Sequence, residues 1–323
     1  MNPESTATKI SPQAMLLILL IGGSFAADSF LRFPIPGTNE PHYLCKARHY
    51  WNPQWCSGDF FLESSNAHAV FYQVLGSLTQ WISLHNTALL GRLAGFLLLA
   101  LGWYRLVRTL IPGLWSPLIA AWIYLGIAAI GNFSGEWIVG GIESKVFAYG
   151  FLFLSLANAC EQRWNRSAIY AGLTISWHPV VGIWALFCGG FSLACYAVLN
   201  QEFRHKTALR QSLKTAVPAC GLLLLCALPG LIPSLSLVFH GASQEKFAAN
   251  YIQVFYRLKH HLDPMDFDPE SYLFYAILLG IWVFLQRKSG PAFAGRFFQW
   301  FIIGTIGLAV IGFLLGAGPR PAS

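Results

Sequence analysis

Eight apolar runs, each near the length a bilayer requires, punctuate this chain and leave it few folds. They cover residues 15–31, 86–104, 113–131, 146–160, 179–199, 215–238, 271–286 and 297–316. A helix crosses the hydrocarbon core with about 20 consecutive apolar residues. Inside that core every backbone polar group needs an internal partner, which long apolar runs achieve as helices. Only 11% of the 323 residues are charged and 55% are hydrophobic, where soluble domains carry about 25% charged residues. A water-soluble globule and a disordered chain are thereby excluded. The expected fold is an all-α integral membrane protein, a polytopic bundle of about 8–9 transmembrane helices with a folded first extracytoplasmic loop. There is no internal repeat and no polar block large enough for a soluble domain. Residues 1–323 read as a single transmembrane domain, with residues 32–85 as that loop.

Residues 166–177 make a shorter apolar segment that ends at Trp177-His178-Pro179. The residue before a proline is pushed out of helical geometry. Residues 166–199 therefore read as a short helix, a break, then a full span. The first run has a second reading, because Ser24-Phe25-Ala26 is a small-x-small triplet of the kind that ends a cleaved signal peptide. Both readings place residue 32 onward outside the cytoplasm.

Charge orients the chain. With sides alternating, Arg105, Arg108, Arg163, Arg166, Arg204, Lys206, Arg210, Lys214, Arg287, Lys288 and Arg296 collect on one side. Glu40, Asp59, Glu63, Glu136, Glu143, Glu245, Asp263, Asp266, Asp268 and Glu270 collect on the other. Basic residues mark the cytoplasmic side, so the N-terminus is expected inside and the protein in the plasma (inner) membrane. The net charge of +7 has the same origin, and no nucleic-acid partner is expected.

Loop 32–85 is rich in Trp, Tyr and Phe, which favour the membrane interface. Within it, 67–84 reads as an interfacial helix, since a further span would invert every later loop. Of the seven cysteines, only Cys45 and Cys56 share a polar loop. They are candidates to pair in an oxidising compartment, while the other five read as small packing residues.

Four polar tracts fall on the outer side. The first is Gly37-Thr38-Asn39-Glu40-Pro41-His42-Tyr43. Pro41 suits the first turn of a helix capped by Asn39 or Glu40 and running to Trp51. Glu40 is a candidate general base, or a helix-start carboxylate and nothing more. The second, Gly135 to Lys145, carries Glu136, Glu143 and Lys145. Ionisable groups near membrane depth are functional candidates, unless Glu143 and Lys145 merely neutralise each other. The third is His178, a ligand or a hydrogen-bonded structural histidine. The fourth runs from Tyr256 through Arg257, Lys259, His260 and His261 to Asp266, Asp268 and Glu270. Its cationic half suits phosphate. Its acidic half lacks the glycine of a calcium loop, so no metal ligands are assigned, although a divalent cation remains a possible cofactor. Arg92, two turns into an apolar run, either snorkels or reaches a phosphate or carboxylate within the bundle.

A first span followed by an outer loop that opens with Asn39-Glu40-Pro41-His42-Tyr43 resembles the GT-C class of membrane glycosyltransferases. That class includes the protein O-mannosyltransferases and the lipid A aminoarabinose transferases. Gly140-Gly141-Ile142-Glu143-Ser144-Lys145 and Arg257-Leu258-Lys259-His260-His261 resemble tracts in bacterial multi-span relatives of the class. The likeness covers residues 30–270. It implies a lipid-phosphate sugar donor and a catalytic acid in the first outer loop, commonly in an Asp-Glu pair. Glu40 matches the second acid, and Asn39 stands where the first often is. The chain is shorter than is usual in the class, as expected of a minimal form, a truncated product or half of an assembly.

The expected function is transfer of a sugar from a polyprenyl-phosphate donor to an acceptor on the extracytoplasmic face. Glu40 is the expected base. His42, Tyr43, Asp59, Arg92, Glu143, Lys145, His178, Arg257, Lys259, His260 and His261 are the expected substrate-binding residues. The lipid-linked donor and membrane lipid are the expected partners. The alternatives are a transporter or flippase that uses the break at His178-Pro179 and Arg92, or a non-catalytic membrane subunit or remnant of a longer enzyme.

Overall fold

The computed structural model describes residues 11–37, 39–131, 137–199, 206–239, 243–286 and 293–316. Every regular element among them is helical. α1 (Pro12–Arg32) starts where the Ser11 hydroxyl accepts the Ala14 N–H at 3.2 Å, with proline at its first position. The loop after it folds into α2 (Glu40–Trp51), α3 (Phe60–Glu63), α4 (Ala69–Val74) and a 3₁₀ turn at Gly76–Gln80. Within residues 67–84 the helices are short, and α4 buries Ala69, Val70, Phe71 and Tyr72. α5 (Leu84–Leu110) is capped by Ser83 and followed by α6 (Ser116–Ile130), α7 (Ser144–Cys160) and α8 (Trp164–Trp177). His178 leaves helical geometry, and α9 (Pro179–Leu199) begins at the proline. α10 (Lys206–Phe239) and α11 (Ser243–Ile252) come next, then a π-helical turn at Gln253–Arg257 and α12 (Lys259–Leu262). α13 (Pro269–Gln286) and α14 (Phe293–Gly316) complete the described chain.

Five helices are long and apolar enough to cross a membrane: α1, α5, α9, Lys214–Leu237 of α10 and Phe293–Leu315 of α14. α6, α7 and α13 are shorter apolar helices, and α8 is shorter still at 14 residues. The long helices make this a multi-pass membrane protein. Their faces agree. α1 buries Leu17, Ile18, Ile21 and Phe25 and leaves Leu16, Leu19 and Leu20 outward. A helix apolar on every face belongs in protein or lipid on all sides.

α5 is central, packed on α1 and α7. A side chain at Gly102 would run into the Gly150 carbonyl of α7, so this crossing depends on bare backbone. α8 and α10 meet in the same way, with Gly230 against the Ser176 backbone. The Ser176 hydroxyl reinforces that seam by donating to the Cys226 carbonyl at 2.8 Å and accepting the Gly230 N–H at 3.1 Å.

The bundle has two chemically different ends. At one, Arg105 of α5 and Arg163 bracket Glu161 at 3.1 and 3.0 Å. At the other lie the C-terminus of α1, the N-termini of α5 and α7, and the His178 break. Ser234 of α10 joins this end by donating to the Ala67 carbonyl at 3.1 Å.

Candidate functional site

Arg92 turns toward α2 and away from lipid. Its Nε and Nη2 donate to Oε1 and Oε2 of Glu40 at 2.6 and 2.7 Å. Its Nη1 donates to the Phe33 carbonyl at 2.6 Å and the Ser29 hydroxyl at 3.1 Å. Pro41 presets the first turn of α2, which places Glu40 where a carboxylate suits the helix dipole. The Gly37 and Ile142 N–H groups each donate to that carboxylate at 2.7 Å. A carboxylate offers about four acceptor positions, and all of them are filled. Both side chains are 0% exposed. Glu40 therefore has no oxygen left for an acceptor hydroxyl. Arg92 reaches a carboxylate and does not snorkel.

The tract Gly140-Gly141-Ile142-Glu143-Ser144-Lys145 is buried throughout and threads past this pair. The Ser29 hydroxyl donates to the Gly140 carbonyl at 2.6 Å, so Ser29 joins α1, α5 and this tract. Asn39 makes no side-chain cap on α2; its amide donates to Glu143 at 2.8 Å instead. Lys145 pairs with Glu143 at 3.3 Å and lies over the Trp137 ring at 4.3 Å. The mutual pairing of Glu143 and Lys145 is thus present, within a larger polar network. Glu136 lies outside the described residues.

His68 extends the network. Its Nδ1 meets the Ser144 hydroxyl at 3.1 Å and its Nε2 meets the Tyr43 hydroxyl at 3.3 Å. The His68 and His178 rings sit 5.0 Å apart. Burial, then the neighbouring His178, push the His68 imidazole down to about 3. His68 is a neutral ring at ordinary pH. It went unnoticed in the sequence because it sits in an apolar stretch with no charged neighbour; only Tyr43 and His178 of this group stood out there.

A second assembly is open to solvent. His42, Asp59 and Arg257 line a depression of about 480 Å³, with Cys45, Cys56 and Phe61 on its walls. Neighbouring residues of α2 project differently, so His42 faces this depression while Tyr43 enters the buried network. Asp59 caps α3 by accepting the Leu62 N–H at 2.9 Å through Oδ1. Lys46 fastens α3 to α2 by donating to the Phe61 and Ser64 carbonyls at 2.7 and 2.9 Å. Arg257 arrives from the π-helical turn, 198 positions after Asp59 in the sequence. An exposed carboxylate, an imidazole and a guanidinium around one opening can accept a proton and hold an anion.

The other basic residues of this tract lie outside the depression's lining. Lys259 pairs with Asp266 at 3.2 Å, and the His260 and His261 rings lie 4.1 Å apart, tilted by 44°. Among the described residues no group of three or more His, Cys, Asp or Glu side chains is arranged to hold a metal ion.

The expected site residues thus fall into a buried pair (Glu40, Arg92), a network of buried and half-buried groups (Glu143 and Lys145, Tyr43 and His178), an open depression (His42, Asp59, Arg257) and a separate turn (Lys259, His260, His261). No family model, curated protein or solved structure matches this chain.

Proposed function

We propose that this protein is a membrane glycosyltransferase that moves a sugar from a polyprenyl-phosphate donor at the open depression. The observation that carries the reading is the convergence of Asp59, His42 and Arg257 on one opening. Arg257 faces the donor phosphate with a planar fork of donors. Asp59, exposed and with one oxygen committed to its cap, takes the proton of the acceptor hydroxyl through the other. The acceptor oxygen bonds to the anomeric carbon, and the bond from that carbon to the phosphate oxygen breaks. The electron pair leaves on phosphate, where Arg257 stabilises it. His42 orients the acceptor. The buried pair of Glu40 and Arg92, with the Glu143–Lys145–His68 network, holds the floor rigid beneath the site.

In this reading α1, α5, α6, α7, α9, α10, α13 and α14 cross the inner membrane and α8 completes a ninth, shorter passage. The N-terminus is cytoplasmic, because the end carrying Arg105 and Arg163 is the more basic.

Binding of the donor's leaving group tests the site. Polyprenyl phosphate should raise the melting temperature of the purified chain in detergent, and Arg257→Ala should remove that rise while leaving the unliganded melt unchanged. An equal rise in both proteins would discard the assignment.

A lipid transporter is the second reading. It is favoured by a cleft of about 680 Å³ without a charged lining residue, between α7, α8, α9, α10 and α14. Pro218, Pro229 and Pro233 interrupt the hydrogen bonding of α10, which forms one wall. Movement of labelled lipid across proteoliposomes without bond cleavage would select this reading.

A further inference from the structure

The chain reverses after α2 and returns along that same helix. The turn closes with the Trp55 N–H donating to the Asn52 carbonyl at 2.9 Å. The returning segment then meets α2 at successive levels. His49 contacts the Trp55 carbonyl through Nδ1 at 2.9 Å, and the Arg48 guanidinium lies over the Trp55 ring at 5.4 Å. Further back along the helix, Lys46 holds the Phe61 carbonyl at 2.7 Å, and His42 meets the Phe61 ring at 5.5 Å.

Cys45 lies one turn before His49 and three residues after His42, on the face of α2 that this segment covers. Cys56 follows Trp55 directly. The contacts at His49 and His42 therefore bracket the two cysteines. Both line the same depression. The Cys45 thiol is pushed up by burial and then by the charges of Cys56 and Asp59, so the three groups lie within electrostatic reach. In the structure all seven cysteines are free thiols, and the five other than Cys45 and Cys56 sit on α7, α9 and α10.

We infer that Cys45 and Cys56 form a disulfide that closes the wall of the depression. The inference rests on the reading above that this end of the bundle lies outside the cytoplasm, where disulfides form and persist. The two thiols lose two protons and two electrons, which reduce the disulfide of an exchange partner to a dithiol. The bridge fixes the 52–58 turn on α2. That sets His42 and Asp59, which flank the two cysteines in sequence, at a constant separation.

The test is alkylation of the denatured full chain taken from native membranes, with and without reductant. Of the seven cysteines, five should take the reagent without reduction and all seven after it. Proteolysis should yield one linked peptide that contains residues 45 and 56. Cys45→Ser should release the Cys56 thiol, so that this variant takes six adducts without reduction. In parallel, Phe60→Cys in the Cys45→Ser/Cys56→Ser background reports sidedness, since residue 60 is 92% exposed. Seven adducts without reduction, with residue 60 labelled from outside the cell, would overturn the disulfide and leave the topology standing. Failure of an impermeant reagent to reach residue 60 would overturn both.

Discussion

Arg92 and Glu40, 52 positions apart in sequence, meet through two parallel hydrogen bonds of 2.6 and 2.7 Å with neither side chain exposed. The pair joins α5 to the start of α2 and, through Ile142, to the tract leading into α7. Charges buried this completely are tolerated because all four acceptor positions of Glu40 are filled and four of the five N–H donors of Arg92 make hydrogen bonds.

Breaking the pair from one side strands the other charge. Glu40→Gln and Arg92→Gln should each cost about 3–5 kcal/mol of stability, the range for removing one partner of a buried pair. Thermal unfolding in detergent measures this. The double variant Glu40→Met/Arg92→Leu should lose less than the sum of the two, because it leaves no lone charge behind. Additive losses would mean that the two side chains act independently.

Close backbone contact makes α8 and α10 sensitive to a single methyl group. Gly230→Ala directs a Cβ into the Ser176 backbone, and overpacking of this kind costs about 1–3 kcal/mol. Gly280→Ala, where an added Cβ meets nothing within 4 Å, is the control and should leave the melting temperature unchanged. The same melt for both variants would contradict the packing described.

His68 gives stability a dependence on pH. Its imidazole is held down at about 3 in the folded chain, against an ordinary 6.5. Between those values the unfolded chain binds a proton that the folded chain refuses. Its contribution is complete above about pH 6.5 and falls as the pH drops from there toward 3. The groups facing the ring are Tyr43, Ser144, His178 and the Trp177 backbone, which alone favours the charged ring, with Lys145 next to Ser144 in the chain. His68→Gln should flatten the acid side of the stability profile relative to wild type. An unchanged slope would show that the ring does not titrate on unfolding.

Much of the bundle was legible because long apolar runs and prolines dictate local structure directly. α2 ends at Trp51, and α8 stops at Trp177 before His178-Pro179, both where proline chemistry places them. The contacts between distant tracts were not legible. Asn39 reads as a cap by residue type, yet it bonds Glu143, 104 positions later. Ser29 and His68 carry no local mark of their roles, since a hydroxyl in a span and an imidazole in an apolar stretch are each ordinary. Glu40 reads in sequence as a general base or a helix-start carboxylate, and Arg92 as snorkelling or reaching a phosphate or carboxylate; that the two meet each other is visible only in the fold. The sequence placed Arg257 on the same side as Asp59, and only the fold brings both to one depression.

The central claim is glycosyl transfer at that depression. The most direct measurement is transfer of labelled sugar from a polyprenyl-phosphate donor in membranes that contain the full chain and its acceptor. The account predicts transfer by the wild type. It also predicts loss of at least about 100-fold in Asp59→Asn, the low end for removing a general base, with an unchanged melting temperature. Wild-type transfer by a folded Asp59→Asn variant would contradict it.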